Sequence, residues 1–310
     1  MDGAMNGAMN EGMNEGQTYR TVGVPVAGGD LTVGVWEPAD ADAPTVVLVH
    51  GVTSSHLAWQ WLAAALPGVR LIAPDLRGRG RSNELEGAAG MAAHADDLAA
   101  VFRALGLAPA TIVGHSMGGF VSVVFAHRHP SLVRRLLLID GGLPLATPDG
   151  LSPDELVAAI LGPTAERLNR RFADEDDYLE FWHRHPAFSH AGSPELDRYF
   201  AYDLVPDGDE LRPATRYATT VADTVDLHTG AALGDALKNL AHPVEFVTAP
   251  RGLQDEEPGL YPDAQLAAVL AQYPAVGHQR WDGVNHYTVV MSAEGAARVA
   301  QRVIAGLASG

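Results

Sequence analysis

The sequence predicts an α/β fold: a mostly parallel central sheet with helices on both faces, carrying a helical insertion as a cap. Three observations predict it. Short runs that are apolar throughout recur along the chain, helical patterns lie between them, and residues 143–241 break that rhythm. A strand that is apolar at every position is one buried on both faces, as in a parallel sheet. Strands alternating with helices are βαβ units, which give a parallel sheet with helices packed on it.

Taken in order, the opening MDGAMNGAMNEGMNEGQ repeats small and polar residues. It has neither a basic region nor an apolar run, so residues 1–17 read as a disordered tail and not as a signal peptide. Val22–Val26 and Leu31–Trp36 are β-type runs joined by Ala27-Gly28-Gly29-Asp30, a hairpin signal. Thr45–Val49 is the first long buried strand, and similar runs follow at Val69–Ala73, Ala110–Val113, Arg135–Ile139 and Val244–Thr248. Ala275–Trp281 is a weaker one. Leu98, Val101, Phe102 and Leu105 keep the spacing of one buried helical stripe, and Leu266, Val269, Leu270 and Tyr273 repeat it with Asp263 as the N-cap. A final helix is expected over 292–307, with Val299, Val303, Ile304 and Leu307 inward.

These elements divide the chain into a core of residues 18–142 and 242–310 and a cap of residues 143–241. In the cap, Ser152-Pro153-Asp154-Glu155 is a capping box and Ser193-Pro194 starts another helix. Its aromatics, Phe172, Tyr178, Phe181, Trp182, Phe188, Tyr199, Phe200, Tyr202 and Tyr217, read mostly as the cap's own core, with a few facing a site at the sheet's carboxyl edge.

Composition bounds the function. The 310 residues carry a formal charge of -17, which argues against nucleic acid or an anionic membrane as partner. There is no cysteine, which excludes disulfides, thiolate catalysis and zinc–thiolate sites. The single lysine, Lys238, has no motif around it. No apolar stretch reaches the roughly 18 residues of a membrane span, and a cytoplasmic protein is expected.

The chemistry concentrates in Gly114-His115-Ser116-Met117-Gly118, a G-x-S-x-G pattern set between a β run and the helical Phe120–His129. A strained strand-to-helix turn lifts the Ser116 hydroxyl into the open, and the two glycines leave room for strand and helix to approach. His50-Gly51-Val52 follows the first buried strand. The Val52 and Met117 N–H groups are the natural donors of an oxyanion hole, while His50 reads as a packed residue shaping the turn. Gly283-Val284-Asn285-His286-Tyr287 precedes the last helix, and the chain order serine, acid, histidine makes His286 the base. Asp255, with Glu256 beside it, is the preferred acid; Asp140, at the end of its own strand, is the alternative.

With Pro74-Asp75-Leu76-Arg77-Gly78-Arg79-Gly80-Arg81-Ser82 added to these motifs, the chain resembles the α/β-hydrolase superfamily, in its capped, esterase-like, serine-nucleophile branch. The resemblance runs from about residue 20 to the end and is weakest over the cap. It implies a Ser116, His286 and acid triad, no cofactor and no metal. In the family the loop around Arg77, Arg79 and Arg81 is structural. The usual Gly-x-x-Asp beyond the acid's strand is here displaced outward by Pro250-Arg251-Gly252-Leu253-Gln254. A serine in place of an aspartate at the elbow argues against epoxide hydrolase and dehalogenase chemistry. His183 and His185 lack an acidic partner at ligand spacing and read as surface residues. The expected reaction is cleavage of an ester, lactone or related acyl bond of a small molecule. The alternatives are cofactor-free C–C bond hydrolysis or lyase chemistry, and a ligand receptor that keeps the fold. The sequence leaves the oligomeric state open.

Overall fold

The structure, a computed structural model, describes residues 16–146, 150–189 and 192–308. Its ten strands are β1 (Gln17–Val26), β2 (Gly29–Pro38), β3 (Thr45–Val49), β4 (Arg70–Pro74), β5 (Ala110–His115), β6 (Val133–Ile139), β7 (Leu204–Asp207), β8 (Glu210–Pro213), β9 (Val244–Thr248) and β10 (Gly277–Arg280). Eight form one sheet in the order β1-β2-β4-β3-β5-β6-β9-β10. The first two pairings from the β1 edge, β1–β2 and β2–β4, are antiparallel, and the others are parallel.

The apolar runs are buried on both faces, as their composition requires. In β3, Val46 and Leu48 join one core cluster while Val47 and Val49 join the other. In β6, Leu137 and Ile139 face the first, Leu136 and Leu138 the second. Each such side chain, at or near zero exposure, contributes about 1.5–3 kcal/mol over its exposed state.

The eleven α-helices described are α1 (Gln60–Ala65), α2 (Met91–Ala104), α3 (Met117–Arg128), α4 (Pro153–Leu161), α5 (Pro163–Arg167), α6 (Glu175–His183), α7 (Pro194–Tyr202), α8 (Tyr217–Thr229), α9 (Ala231–Lys238), α10 (Asp263–Gln272) and α11 (Ala293–Ala308). Leu62 of α1 and Val299 and Val303 of α11 cover one face of the sheet. Leu98, Val101 and Phe102 of α2, Val121 and Val124 of α3, and Leu266 and Val269 of α10 cover the other. Leu233 and Leu237 of α9 join that second layer, so one helix from the stretch expected as cap packs directly on the sheet's own helices.

Several expectations need correction. Residues 1–15 of the expected tail lie outside the described residues, but Gln17 is strand: it pairs with Pro38 and its amide donates to Val69 C=O at 3.2 Å. Asp263 is not a cap. Pro262 holds the N-cap position, and the Asp263 carboxylate instead pairs with Arg280. Ile304 faces outward at 54% exposure, because α11 buries the narrower stripe of Val299 and Val303. The stretch read as wholly helical also contains the β7–β8 hairpin. The Ser152 capping box and the Ser193 N-cap are both formed.

Candidate active site

The site lies where β3, β5 and β6 end. Between β5 and α3 the chain turns within one residue, and Ser116 takes φ 54° and ψ -125°, a conformation costly for a side-chain-bearing residue. The turn is pinned by the Ser116 N–H donating to Ile139 C=O at 2.9 Å. The crowding explains the flanking glycines. A Cβ on Gly114 would sit 2.4 Å from the Gly118 carbonyl oxygen, and one on Gly118 would sit 2.0 Å from that of Val49. Ser116 stays partly accessible while His115 and Met117 are buried.

The turn after β3 is built around His50. Its Nδ1–H donates to Gly51 C=O at 2.8 Å and its Nε2 accepts from Leu76 N–H at 3.0 Å. A carbonyl only accepts and an amide N–H only donates, so these bonds fix one neutral tautomer. Burial pushes its pKa down to about 4, consistent with the neutral ring. Both nitrogens being engaged, His50 holds the loop. Val52 N–H meets no acceptor among the described residues, and Met117 N–H, first in α3, has none within the helix.

Arg79 ties these donors' segments together. It is fully buried; its Nε–H donates to Val52 C=O at 2.8 Å, Nη2 lies 3.9 Å from Met117 Sδ, and Nη1 binds the Asp223 carboxylate of α8. Asp223 also accepts from Gly90 N–H at 2.6 Å and from His94 Nε2 at 3.0 Å. Its neighbours are engaged as well: Arg77 makes a two-pronged pair with Asp97, and Arg81 donates to Tyr202 C=O. The three arginines of this loop are thus engaged by hydrogen bonds and ion pairs, most of them to residues distant in the chain, and none is left as a free cation for substrate.

The structure brings Asp140, not the preferred Asp255, to His286. Asp140 Oδ2 lies 2.7 Å from His286 Nδ1, and its Oδ1 accepts from Ala249 N–H at 3.1 Å. Asp140 is wholly buried at the end of β6, with φ 46°. β6 lies between β5 and β9, which puts its end beside the elbow. Asp255 sits one residue removed from that role. Its Oδ1 accepts from Asn285 Nδ2 at 3.0 Å and lies 3.1 Å from Arg251 Nε. Glu256 turns back to accept from Gln254 N–H. The longer loop after β9 therefore supports Asn285, next to the histidine. His286 is further held by its N–H donating to Arg251 C=O and by His115 Nε2–H donating to its C=O at 2.7 Å. Burial keeps His115 well below the usual imidazole range, hence neutral.

Ser116 and His286 border two cavities that meet at them, with Val52 and Leu253 as the other shared walls. One is walled by Trp182, Phe188, Tyr199 and Tyr287, with Ser54 beside them. The other is walled by Phe120, Ile160, Leu161, Leu227 and Leu260, with His228 among them. No hydrogen bond joins Ser116 Oγ to His286; in unliganded sites such bonds are commonly long and tighten with substrate. Trp182, Phe188 and Tyr199 are the cap aromatics that face the site, and Phe172, Tyr178 and Phe200 pack in the core. His185 accepts from Ala187 N–H, and His183 pairs with Asp197. His228 carried no motif signal, since its approach to Ser116 depends on the fold.

A strained serine at a strand–helix elbow and a buried Asp–His pair thus stand together at the sheet's edge. The chain belongs to the alpha/beta hydrolase fold family, whose model matches residues 44–205. A bifunctional esterase/perhydrolase of Acinetobacter calcoaceticus is 32% identical over 163 residues, 52% of this chain and 56% of that protein. An uncharacterized protein of Mycobacterium bovis is 37% identical over 100 residues, 32% of this chain and 29% of its own length. The crystal structure of an E-2-(acetamidomethylene)succinate hydrolase superposes with a TM-score of 0.74 at 23% identity, over 93% of this chain and 99% of that one; at that identity the likeness concerns the fold. The chain spans less than a third to just over half the length of these curated relatives. Among the described residues no helix is long and apolar enough to cross a membrane.

Proposed function

We propose that this protein is a serine hydrolase that cleaves a carboxylic ester, lactone or related acyl bond of a small molecule, without a cofactor. The observation that carries the reading is the 2.7 Å contact of Asp140 with His286, beside a serine held in a strained, accessible turn. Ser116 Oγ attacks the substrate carbonyl as its proton passes to His286 Nε2. The Asp140 carboxylate holds the proton of Nδ1 on the far side of the ring and stabilises the imidazolium. The carbonyl electron pair moves to oxygen, where Val52 and Met117 N–H groups receive it. Collapse expels the leaving group, which takes the proton from His286 and leaves an acyl-Ser116. Water, deprotonated by the same imidazole, then releases the acid. The cavities on either side of Ser116 give separate room to acyl and leaving groups.

The test is turnover of p-nitrophenyl butyrate with a fluorophosphonate probe alongside. Ser116→Ala abolishes both turnover and labelling if the reading holds; turnover that survives the substitution refutes it. A second reading is cofactor-free cleavage of a C–C bond by the same residues. Ser116-dependent turnover of small acids with no turnover of simple esters would favour it.

A further inference from the structure

The cavity bounded by Phe120, Ile160, Leu161, Leu227 and Leu260 is mostly apolar, and away from Ser116 and His286 its polar wall residues are Thr224 and His228 of α8. His228 Nδ1 lies 2.8 Å from the Thr224 carbonyl oxygen, one helical turn back. A carbonyl only accepts, so Nδ1 carries the proton, and in the neutral ring Nε2 is a bare acceptor. Burial pushes the His228 pKa down, which keeps the ring neutral near pH 7. The Thr224 hydroxyl is already committed to Thr220 C=O at 2.8 Å, and Nε2 has no partner among the described residues. A substrate arm that fills the cavity takes water away from this half-buried acceptor, a cost that a matching donor on the arm offsets.

We propose that His228 is a specificity-determining residue whose Nε2 accepts a hydrogen bond from a hydroxyl or amide N–H on the substrate portion that fills this cavity. The substrate class is then an acyl compound with an aliphatic arm bearing one such donor. This rests on the serine hydrolase reading of the site. A site with a placed acceptor discriminates against the analogue that lacks the donor, because the buried group is left unpaired.

The experiment compares kcat/KM for methyl hexanoate and its monohydroxylated and monoacetamido derivatives, substituted at each chain carbon in turn, by acid release in a pH-stat. A second series, hexyl acetate and the monoacetates of hexanediols, puts the donor on the alcohol side. In one series, at one position, the substituted substrate is expected to exceed the plain one about tenfold. His228→Leu should bring that ratio to about one, and His228→Gln, which keeps an acceptor oxygen, should restore part of it. The ratio cancels changes that affect both substrates alike. The proposal is overturned if no position in either series shows a ratio that differs between wild type and His228→Leu while the plain esters are cleaved in a Ser116-dependent way. If the wild type cleaves no ester, the reading of the site fails and takes this inference with it.

Discussion

Replacing Asp140 by Asn separates the two acids most sharply. The carboxylate has two oxygens, and both are used: Oδ1 by Ala249 N–H at 3.1 Å and Oδ2 by His286 Nδ1 at 2.7 Å. An asparagine supplies one oxygen and one NH2 in the same space. If the oxygen faces His286, the NH2 opposes Ala249 N–H. If the NH2 faces His286, it donates to Nδ1 and drives the proton to Nε2, where it disables the base. Either way the negative charge that stabilises the imidazolium is gone. Comparable substitutions cost about 10³–10⁴ in kcat, which is about 4–5.5 kcal/mol of barrier. Asp255→Asn keeps an oxygen for Asn285 and loses only a half-exposed contact with Arg251, so less than about tenfold is expected. The assay is kcat for p-nitrophenyl butyrate, with a thermal melt of each variant to show that it is folded. Equal effects, or a larger loss at Asp255, would refute the assignment of Asp140.

Gly118→Ala places a Cβ 2.0 Å from the Val49 carbonyl oxygen, where backbone must move. A loss of about 1–3 kcal/mol or more is expected, and a urea midpoint equal to wild type would contradict the packing described. Arg79→Met leaves the buried Asp223 without its guanidinium partner and should cost about 3–5 kcal/mol. Adding Asp223→Asn should recover part of that, so additive losses in the double-mutant cycle would count against coupling. Asp75 accepts from His56 N–H and His56 Nδ1, Arg81 N–H and the Tyr202 hydroxyl. Burial opposes its charge, but the attraction and hydrogen bonds of His56 outweigh it and hold the carboxyl well below the usual range. A depressed folded pKa stabilises fully above the unfolded value near about 3.9 and is lost as pH falls through the folded value. Asp75→Asn should therefore flatten the decline of stability below about pH 5. Parallel urea midpoints for the two proteins across that window would show that Asp75 contributes nothing to it.

The local pattern carried most of the fold. Strands such as Thr45–Val49 were legible because burial on both faces forbids polar positions, and the elbow was legible because only glycine fits two residues before and two after Ser116. Chain order put His286 forward, and the structure sets it against Asp140. What the sequence could not decide was the acid, since Asp140 and Asp255 each end a stretch near a strand and only the neighbouring of β5, β6 and β9 puts one of them against His286. The same holds for Arg79 with Asp223 and for His228 at the cavity wall. These partners lie far apart along the chain, and no local propensity encodes a meeting that depends on how helices from the insertion settle over the sheet. A residue's conformation is set mainly by near neighbours and its burial pattern, whereas the contact between distant side chains is a property of packing, which exists only once the chain has closed.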